Sequence, residues 1–368
     1  MDITGAVFRS GSSEFTIEPL VLASPGPGEV LVKIVAVGLC HTDIATQAGV
    51  IPFPSPGVLG HEGSGRVVEV GPGVTKVAPG DPVALSFSTC GKCPSCVAGE
   101  PAYCHMFMPL NYAGSRLDGT SPLTTPSGEQ VGSMFFGQSS FATHAVAPER
   151  NVVKVPEDAP LDIVGPLGCG VQTGAGAVMR SFAAPPGSSI VVLGAGSVGL
   201  SAVLGAVVQN LAHILVVEPH ETRRALALEL GATHAIDPTA GNLTEQIRAV
   251  VPDGVDYVFD TTGRPDVIEA SIAGLTNRGT LGLVGVPSDP AAAVSLNIIG
   301  LMLQGLTVKG IVEGDSDPDV FIPELLALYA EGRFPFDKMV TKVPFGQINE
   351  AVDLQHKGEA VKVVLVHE

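Results

Sequence analysis

Four of the six cysteines of this sequence lie close together, at Cys90, Cys93, Cys96 and Cys104. Gaps of two residues let neighbouring thiolates converge on one tetrahedral centre, as they do in structural zinc sites. Disulfide geometry suits such a crowded run poorly. Because all four positions are thiolates, the spacing predicts a closed, structural zinc site. An iron–sulfur cluster is the alternative, since its ligands can have the same spacing.

The other two cysteines, Cys40 and Cys169, are distant in sequence, and each alone could be an inert buried thiol. Cys40 is followed by His-Thr-Asp, and His61 lies in a Gly-His-Glu triplet. Two cysteines and one histidine form a known ligand set of catalytic zinc, which leaves the fourth position open. We therefore predict a second, catalytic zinc site at Cys40, His61 and Cys169. Asp43 is placed to orient His61 from behind the metal.

A glycine-rich hexapeptide at residues 194–199 matches the G-x-G-x-x-G pattern of dinucleotide sites. It follows the apolar run Ile190–Leu193, and a second such run, Ile214–Val217, ends at Glu218. In this context the glycines permit a tight turn and close approach of a pyrophosphate to a helix N-terminus. Glu218 would accept hydrogen bonds from ribose hydroxyls and repel a 2′-phosphate, so NAD is favoured over NADP. The predicted contacts are Gly194, Gly196, Ser197, Val198, Gly199 and Glu218.

Two arginines complicate the choice of cofactor. Arg223 and Arg224 follow Glu218 closely and could face a phosphate, although they also fit the solvated face of a helix. The sequence alone leaves both interpretations open.

Two kinds of sequence pattern predict the elements that must position these residues. From about residue 171 to 312, short apolar strands alternate with helical patterns. Strands are predicted at Ile190–Leu193, Ile214–Val217, Thr233–Ile236, Val255–Phe259, Gly279–Val284 and Leu306–Ile311. Helices are predicted between them at Glu221–Leu230, Leu243–Val251 and Pro265–Ala273. Six strands with crossovers form a doubly wound parallel sheet, so residues 171–312 are predicted to be a Rossmann cofactor domain.

The flanking segments are different. Residues 1–170 are rich in glycine and proline, with valine-rich runs at Glu29–Val37 and Arg66–Val70 that favour antiparallel strands. Residues 313–368 carry a helical pattern near Pro323–Glu331 and a final strand at Val361–Val366. The predicted fold is therefore α/β, with the Rossmann domain inserted into a mostly antiparallel β catalytic domain. Residues 1–170 would hold both zinc sites, and residues 313–368 would return to complete that domain.

Composition excludes several classes of protein. The 368 residues include 20 basic and 37 acidic side chains, a formal net charge of −17, which argues against binding to nucleic acid or anionic membranes. The uncharged run Ile190–Val208 approaches the length of a membrane span, but its four glycines and β-branched start favour a buried strand and helix. No export signal precedes these thiols, so we expect a cytoplasmic protein with its cysteines reduced or bound to metal.

Taken together, these residues resemble the zinc-dependent, medium-chain alcohol dehydrogenase family over nearly the whole chain. The most specific stretches are Gly38–Asp43 and Gly60–Glu62. The stretches Phe135–Thr143, Gly165–Val178 and Ile311–Ser316 are most similar to aryl and allylic alcohol dehydrogenases of the benzyl alcohol and geraniol type. The resemblance implies a GroES-like catalytic domain, two zinc ions and hydride transfer between NAD and a primary aromatic or allylic alcohol.

The resemblance also implies roles for single residues. Thr42 would hydrogen-bond the substrate hydroxyl and begin a proton relay, and Glu62 would lie behind the zinc and transiently replace a ligand. Thr173 would pack on the nicotinamide. The other implied cofactor contacts are His41 and Lys362 at the pyrophosphate, and Glu218 and Arg223 at the adenosine ribose. Many relatives carry histidine where this chain has Ala45, so here water or His41 would have to complete the relay.

Other functions fit parts of the pattern. They are an aliphatic, polyol or formaldehyde–thiol adduct dehydrogenase on the same scaffold, a zinc-free enone or quinone reductase, and a zinc-ribbon interaction module. Polyol enzymes usually replace the third ligand with glutamate, whereas this chain has Cys169, and the net charge disfavours an interaction module. We expect a small alcohol or aldehyde as substrate, no nucleic-acid or membrane partner, and a homodimer or homotetramer.

Overall fold

The computed structural model describes residues 1–367, which divide into two compact units. The first unit contains Met1–Gly170, Asp317–Ala327 and residues 339–367, and the second contains Val171–Ser316 and Leu328–Lys338. The chain therefore leaves the first unit after Gly170 and returns to it at Asp317. Residues 328–338, which we expected in the C-terminal return, lie with the second unit.

The strands and helices are numbered in chain order. The strands are β1 (Asp2–Phe8), β2 (Thr16–Leu22), β3 (Glu29–Gly38), β4 (Gly57–Val58), β5 (Gly63–Val70), β6 (Pro82–Leu85), β7 (Leu123–Thr124), β8 (His144–Pro148), β9 (Val152–Lys154), β10 (Ser189–Leu193), β11 (His213–Val217), β12 (His234–Ile236), β13 (Val255–Asp260), β14 (Leu275–Leu283), β15 (Thr307–Gly310), β16 (Val340–Pro344) and β17 (Lys362–Val366). The helices are α1 (His41–Gln47), α2 (Pro94–Val97), α3 (Phe107–Tyr112), α4 (Leu161–Val164), α5 (Gly170–Gly176), α6 (Ser197–Val208), α7 (Glu221–Glu229), α8 (Leu243–Val250), α9 (Pro265–Ile272), α10 (Ile298–Gln304), α11 (Pro318–Ala330) and α12 (Ile348–His356).

The first unit is built on two sheets. One has the strand order β4-β1-β2-β7, and the other has the order β16-β17-β3-β5-β6-β9, with β8 also paired to β3. Neighbouring strands are antiparallel except β16 and β17, which are parallel. This confirms the predicted, mostly antiparallel β domain, to which the C-terminal strand β17 returns beside β3.

The second unit contains the predicted doubly wound sheet. Six of the described strands are parallel and have the order β12-β11-β10-β13-β14-β15. Every residue of β10 is buried, as expected for a central strand covered by helices on both faces. The core beneath one face is made by Val191, Leu193, Leu215, Val258 and Leu281, with Ile247 and Ile268 from α8 and α9.

Several helices differ from the predictions, and two of them are informative. Helix α11 begins at Pro318 and not near Pro323, because Asp317 caps it by accepting the backbone N–H of Asp319 at 3.0 Å. A proline at the first helical position is favourable, and Pro323 is accommodated one turn later. Helix α1, directly after Cys40, was not predicted. Among residues 1–367, no helix combines the length and the apolar character that crossing a bilayer requires.

Candidate active site

The first unit brings four ligand-type side chains into one cluster. The candidate ligand atoms of Cys40, His61, Glu62 and Cys169 lie within 4.8 Å of one another. Cys40 precedes α1, His61 and Glu62 lie in the turn before β5, and Cys169 directly precedes α5. His61 and Glu62 are fully buried. The three predicted zinc ligands therefore meet at one point although up to 129 residues separate them in sequence.

Asp43 ties two of these segments together. Its Oδ2 accepts the backbone N–H of Cys40 at 3.0 Å, and its Oδ1 accepts the backbone N–H of Gly60 at 3.0 Å. The same Oδ1 lies 3.0 Å from Nδ1 of His61. A carboxylate that holds Nδ1 in this way leaves Nε2 as the lone-pair nitrogen that binds a metal. Asp43 thus lies where the sequence predicted it.

The His61 ring has a polar atom that the protein does not satisfy. Its Nε2 is buried and has no hydrogen-bond partner among residues 1–367. The ring stacks on Phe136 at 4.4 Å and meets the edge of Phe135 at 5.4 Å. A buried, unpaired nitrogen is costly unless a ligand completes it. Together with two thiols, this nitrogen forms a donor set that fits zinc.

One thiol of the cluster, Cys40, is suited to bind as an anion. A hydrogen bond with Cys169 holds the pKa of the Cys40 thiol well below its usual range, against the effect of burial. Thr42 Oγ1 lies 3.8 Å from Cys40 Sγ and is half-buried, whereas His41 is exposed at the start of α1. Ala45 is buried and contributes no polar atom to a relay.

A buried ion pair lies behind the cluster. The Lys362 ammonium donates to both carboxylate oxygens of Glu62, at 2.9 and 2.7 Å, and to the carbonyl of Leu39 at 3.1 Å. Burial would lower the pKa of Lys362, but the Glu62 carboxylate outweighs it and raises that pKa above its usual value. The carboxylate fits only because residue 38 is glycine, since a Cβ there would overlap it. Its Oε1 also accepts the backbone N–H of Gly170 at 3.1 Å.

The four remaining cysteines form a second cluster. The sulfur atoms of Cys90, Cys93, Cys96 and Cys104 lie within 4.8 Å of one another around α2. Backbone N–H groups point at three of them, including Cys93 N to Cys90 Sγ at 3.3 Å and His105 N to Cys93 Sγ at 3.4 Å. Such bonds from Cys96 and His105 lower the pKa of the Cys93 thiol to about 6. The cluster is closed, with four sulfur donors and no other ligand type.

In the second unit, the glycine-rich turn joins β10 to α6 as predicted. Gly194 has a φ of +97°, and a Cβ on Gly199 would overlap the carbonyl of Gly194. A Cβ on Gly196 would meet no atom within 4 Å, so the space beside this residue is open. Ser197 Oγ, at the first turn of α6, is buried with no hydrogen-bond partner among the described residues. An open cradle and an unsatisfied hydroxyl at a helix N-terminus fit a pyrophosphate.

Glu218 lies at the end of β11, where the fingerprint predicts it. It is buried, and its two oxygens accept the backbone N–H groups of Ala195 and His220, both at 2.9 Å. Arg224 donates to the carbonyls of Glu218 and Pro219 at 2.7 Å, so it stabilises the turn that follows β11. Arg223 is half-buried in the first turn of α7.

Comparisons with known proteins agree with this geometry. Residues 26–157 match the family described as alcohol dehydrogenase GroES-like domain, and residues 197–331 match the family described as zinc-binding dehydrogenase. The chain is 49% identical over 363 residues to geraniol dehydrogenase of Castellaniella defragrans, covering 98% of this chain and 96% of that protein. This chain belongs to the zinc-dependent, medium-chain alcohol dehydrogenases.

Two solved structures resemble the whole dehydrogenase. An alcohol dehydrogenase zinc-binding domain protein from Burkholderia ambifaria superposes with a TM-score of 0.98 at 46% identity, covering 100% of this chain and 99% of the other. Benzyl alcohol dehydrogenase from Acinetobacter calcoaceticus superposes with a TM-score of 0.97 at 41% identity, with 100% of both chains covered.

One residue that holds the dehydrogenase's site together was missed from the sequence. The buried amide of Gln138 donates to the carbonyls of His61 and Ser86, at 2.8 and 3.1 Å. Its oxygen accepts from Gly63 N at 3.1 Å and Ser140 Oγ at 2.7 Å. Nothing in the local pattern distinguishes this glutamine, since its partners other than Ser140 come from β5, the residue after β6 and the His61 turn.

Lys362 is bonded within the protein. The family resemblance implies that it contacts the cofactor pyrophosphate, which stays a prediction, and in the structure its ammonium donates to Glu62 and Leu39. A lysine flanked by valines in a final strand would normally face solvent, and only a long-range partner explains its burial. The dehydrogenase thus uses Lys362 to fix Glu62.

Proposed function

We propose that this enzyme oxidises primary aromatic or allylic alcohols with NAD, using one catalytic and one structural zinc ion per chain. The observation that carries the proposal is the Cys40, His61 and Cys169 cluster with its buried, unpaired His61 Nε2. The relatives named for geraniol and benzyl alcohol support the substrate class.

Cys40, His61 and Cys169 would hold the catalytic zinc, and Cys90, Cys93, Cys96 and Cys104 the structural one. When bound, the catalytic ion supplies a Lewis acid that makes an alcohol hydroxyl easier to deprotonate. Asp43 fixes the tautomer and direction of His61 through Nδ1. Glu62, held by Lys362, would lie beside the ligands, where it could transiently replace one of them.

The chain's own residues would carry away the hydroxyl proton of the substrate. Thr42 Oγ1, close to Cys40 Sγ and half-buried, would accept the hydroxyl proton of the substrate and pass it outward. The next polar group that we assign to the path is the exposed His41 or solvent, because Ala45 offers no hydroxyl or imidazole. With solvent as the acceptor, oxidation should keep rising with pH further into the alkaline range than in relatives with a relay histidine.

The cofactor contacts in the second unit support NAD. The open space at Gly196 and the unsatisfied Ser197 hydroxyl would receive the pyrophosphate, with Gly194, Val198 and Gly199 shaping the turn. Glu218, buried at the end of β11, would face the ribose and repel a 2′-phosphate. Thr173, buried in α5, would pack on the nicotinamide, and Arg223 would lie beside the adenosine.

An apolar substrate suits the aromatic residues packed around His61. Phe136 contacts Phe107 and Tyr112 at ring distances of 6.2 and 5.2 Å, in addition to stacking on the imidazole. Burying an extra ~100 Å² of a ring or isoprenoid chain stabilises a complex by about 2.5 kcal/mol, which ethanol cannot supply. A primary alcohol next to a ring or double bond also gives a conjugated aldehyde, so its hydride is easier to remove.

Steady-state kinetics with benzyl, cinnamyl, geranyl, hexyl and ethyl alcohols, each with NAD and NADP, test this function. We expect kcat/KM for benzyl, cinnamyl or geranyl alcohol to exceed that for ethanol by at least about tenfold. Ethanol or a secondary alcohol as the best substrate would contradict the substrate class and leave the family unchanged.

We further propose that the enzyme is a homodimer or homotetramer joined through the second unit. Helix α10 exposes four large apolar side chains, with Ile298, Ile299, Met302 and Leu303 exposed by 64–80%. Strand β15, at the edge of the sheet, leaves one row of backbone groups without a neighbouring strand among the described residues. An edge strand beside an apolar helix is complementary to its own copy about a two-fold axis.

Light scattering after size-exclusion chromatography tests the assembly. Met302→Glu should give monomers where the wild-type enzyme is dimeric or larger, whereas Val97→Glu, at another exposed apolar residue, should leave the mass unchanged. A monomeric wild-type enzyme would refute the proposal. We also propose a cytoplasmic location. All six cysteines are free of disulfide bonds, and the two proposed zinc sites need all six thiols in the reduced state.

A further inference from the structure

A left-handed turn at Glu313–Asp315 is an unusual feature of the second unit. Its three residues have φ values of +49°, +67° and +51°, and Glu313 and Gly314 are buried. Side chains other than glycine rarely adopt this conformation, so the surroundings must hold Glu313 and Asp315 in it. The contacts of the turn show which element holds it in this conformation.

The turn packs on α5, backbone against backbone. A Cβ on Gly314 would overlap the carbonyl of Gln172 and would come within 3.0 Å of the carbonyl of Thr173. A Cβ on Gly176 would in turn overlap the carbonyl of Gly314. Glycine at both positions therefore lets the turn approach the helix more closely than any other residue would allow.

Polar contacts fix both ends of the turn. Glu313 Oε2 accepts Gln172 Nε2 at 3.2 Å and Thr173 Oγ1 at 3.4 Å, and Gln172 Oε1 accepts Ser316 Oγ at 3.3 Å. At the other end, Asp315 Oδ2 accepts Ser181 Oγ at 2.7 Å.

Lys309 of β15 completes this second anchor. Its ammonium lies 2.8 Å from Asp315 Oδ2 and donates to the carbonyl of Ser181 at 3.1 Å. Ser181 ends a π-helical turn, Ala177–Ser181, that continues α5. Such turns are rare and are frequent at functional sites. The two ends of the turn are therefore bonded to α5 and its continuation, Glu313 to Thr173 and Asp315 to Ser181.

We propose that Glu313 and Gly314 are positioning residues that hold Thr173 in place for the nicotinamide. The inference rests on the proposed function, in which Thr173 packs on that ring. The Glu313 carboxylate accepts a hydrogen bond from the Thr173 hydroxyl. The methyl group of Thr173 is therefore directed away from residues 313–315. Gly314 sets the distance between the turn and the backbone at Thr173. Neither residue touches the reacting atoms, and both act through α5.

Gly314→Ala tests the close approach. The added methyl group collides with the Gln172 carbonyl and pushes α5 outward, so the dissociation constant of NADH and KM for NAD should rise about tenfold, as expected for a misplaced site residue. Gly187→Ala is the matched control, because Gly187 also has a positive φ, +85°, but its Cβ would meet no atom within 4 Å. Both variants should lose thermal stability, and only Gly314→Ala should lose cofactor affinity.

Two substitutions at Glu313 test the hydrogen bonds without changing the backbone. Glu313→Met removes the acceptor and should weaken NADH binding about fivefold, a loss comparable to one net hydrogen bond. Glu313→Gln keeps an oxygen that accepts from Gln172 and Thr173 and should remain within about twofold of wild type. Zinc content should be unchanged in both. Asp256→Leu is a control, since Asp256 bonds Ser189 at the opposite end of the sheet.

Fluorescence titration with NADH, performed on the zinc-loaded enzyme, separates the outcomes. Wild-type affinity in both Gly314→Ala and Glu313→Met, with only stability reduced, would overturn the inference and leave the proposed function standing. Equal weakening in Glu313→Gln and Glu313→Met would also overturn it, because an acceptor would then not suffice. A wild-type enzyme that binds no NADH would instead refute the proposed function.

Discussion

The buried pair of Lys362 and Glu62 gives the sharpest prediction for stability. Their side chains are 3% and 0% exposed, and Glu62 receives two hydrogen bonds from the ammonium. Lys362→Met would leave a carboxylate in the protein interior with Gly170 N as its remaining donor in the first unit. Removing one partner of a buried pair costs about 3–5 kcal/mol. For a unit of about 210 residues, this lowers the apparent Tm by about 7–11 °C.

Lys342→Met is the matched control for this prediction. Lys342 lies on the neighbouring strand β16 and pairs with Asp162, but it is 50% exposed, so its loss should cost about 0–1 kcal/mol. Adding Glu62→Gln to Lys362→Met removes the stranded charge and should recover at least half of the lost stability. The assay is scanning calorimetry at one scan rate on samples of equal zinc content. A shift as small as that of the control would refute the argument that burial makes this pair important.

Three further predictions concern metal, cofactor and pH. Cys169→Ser should lose one of two zinc ions and nearly all turnover while keeping most of its thermal stability, whereas Cys93→Ser should lose the other ion and mainly stability; one ion or none in active wild-type enzyme would contradict both. Glu218→Gln should raise the ratio of kcat/KM for NADP over NAD at least about tenfold, because a like charge 4 Å from a phosphate costs on the order of 1–4 kcal/mol. Burial, with His144 and Lys33 nearby, lowers the pKa of His367 to about 4, so the unfolded chain binds a proton that the folded enzyme resists and stability falls as pH drops from about 6.5 towards 4. Denaturant titrations at pH 7.5 and 5.5 should show His367→Phe losing about 1 kcal/mol less than wild type, and equal losses would exclude this histidine as the cause.

The parallel strands and the four-cysteine ligand group could be predicted because their signals are local. Two-residue gaps between Cys90, Cys93 and Cys96 define a metal loop whatever the rest of the chain does. Strand β10, the glycine turn and Glu218 form one continuous segment whose pattern fixes its structure. The observed ends of the strands differ from the predicted ends by a few residues at most. The largest difference is at β14, which begins four residues earlier than predicted.

What could not be predicted depends on partners far away in sequence. Helix α1 is short, carries β-branched residues and starts after a cysteine, so it lacks the usual helix signals. The contact of Asp43 with His61 was predicted, whereas its bond from the backbone N–H of Gly60, 17 residues later, was not. The left-handed conformation of Glu313 and Asp315 has no signal except Gly314 between them. The hydrogen bonds of Gln138 and Lys362 could not be predicted for the same reason, because each side chain is buried by residues from other elements.

The way Asp43 is bonded affects the order in which the two proposed zinc sites would assemble. Its contacts use the backbone N–H groups of Cys40 and Gly60 and the Nδ1 of His61, so none of them occupies a metal-binding atom. The catalytic pocket can therefore reach its final shape during folding and take up its ion afterwards, and it can lose that ion to a chelator without unfolding. In the four-cysteine loop the N–H groups bond to the sulfur atoms themselves, so that loop depends on charged sulfur for its shape. One metal would thus be a late addition to a finished framework, and the other would take part in building it.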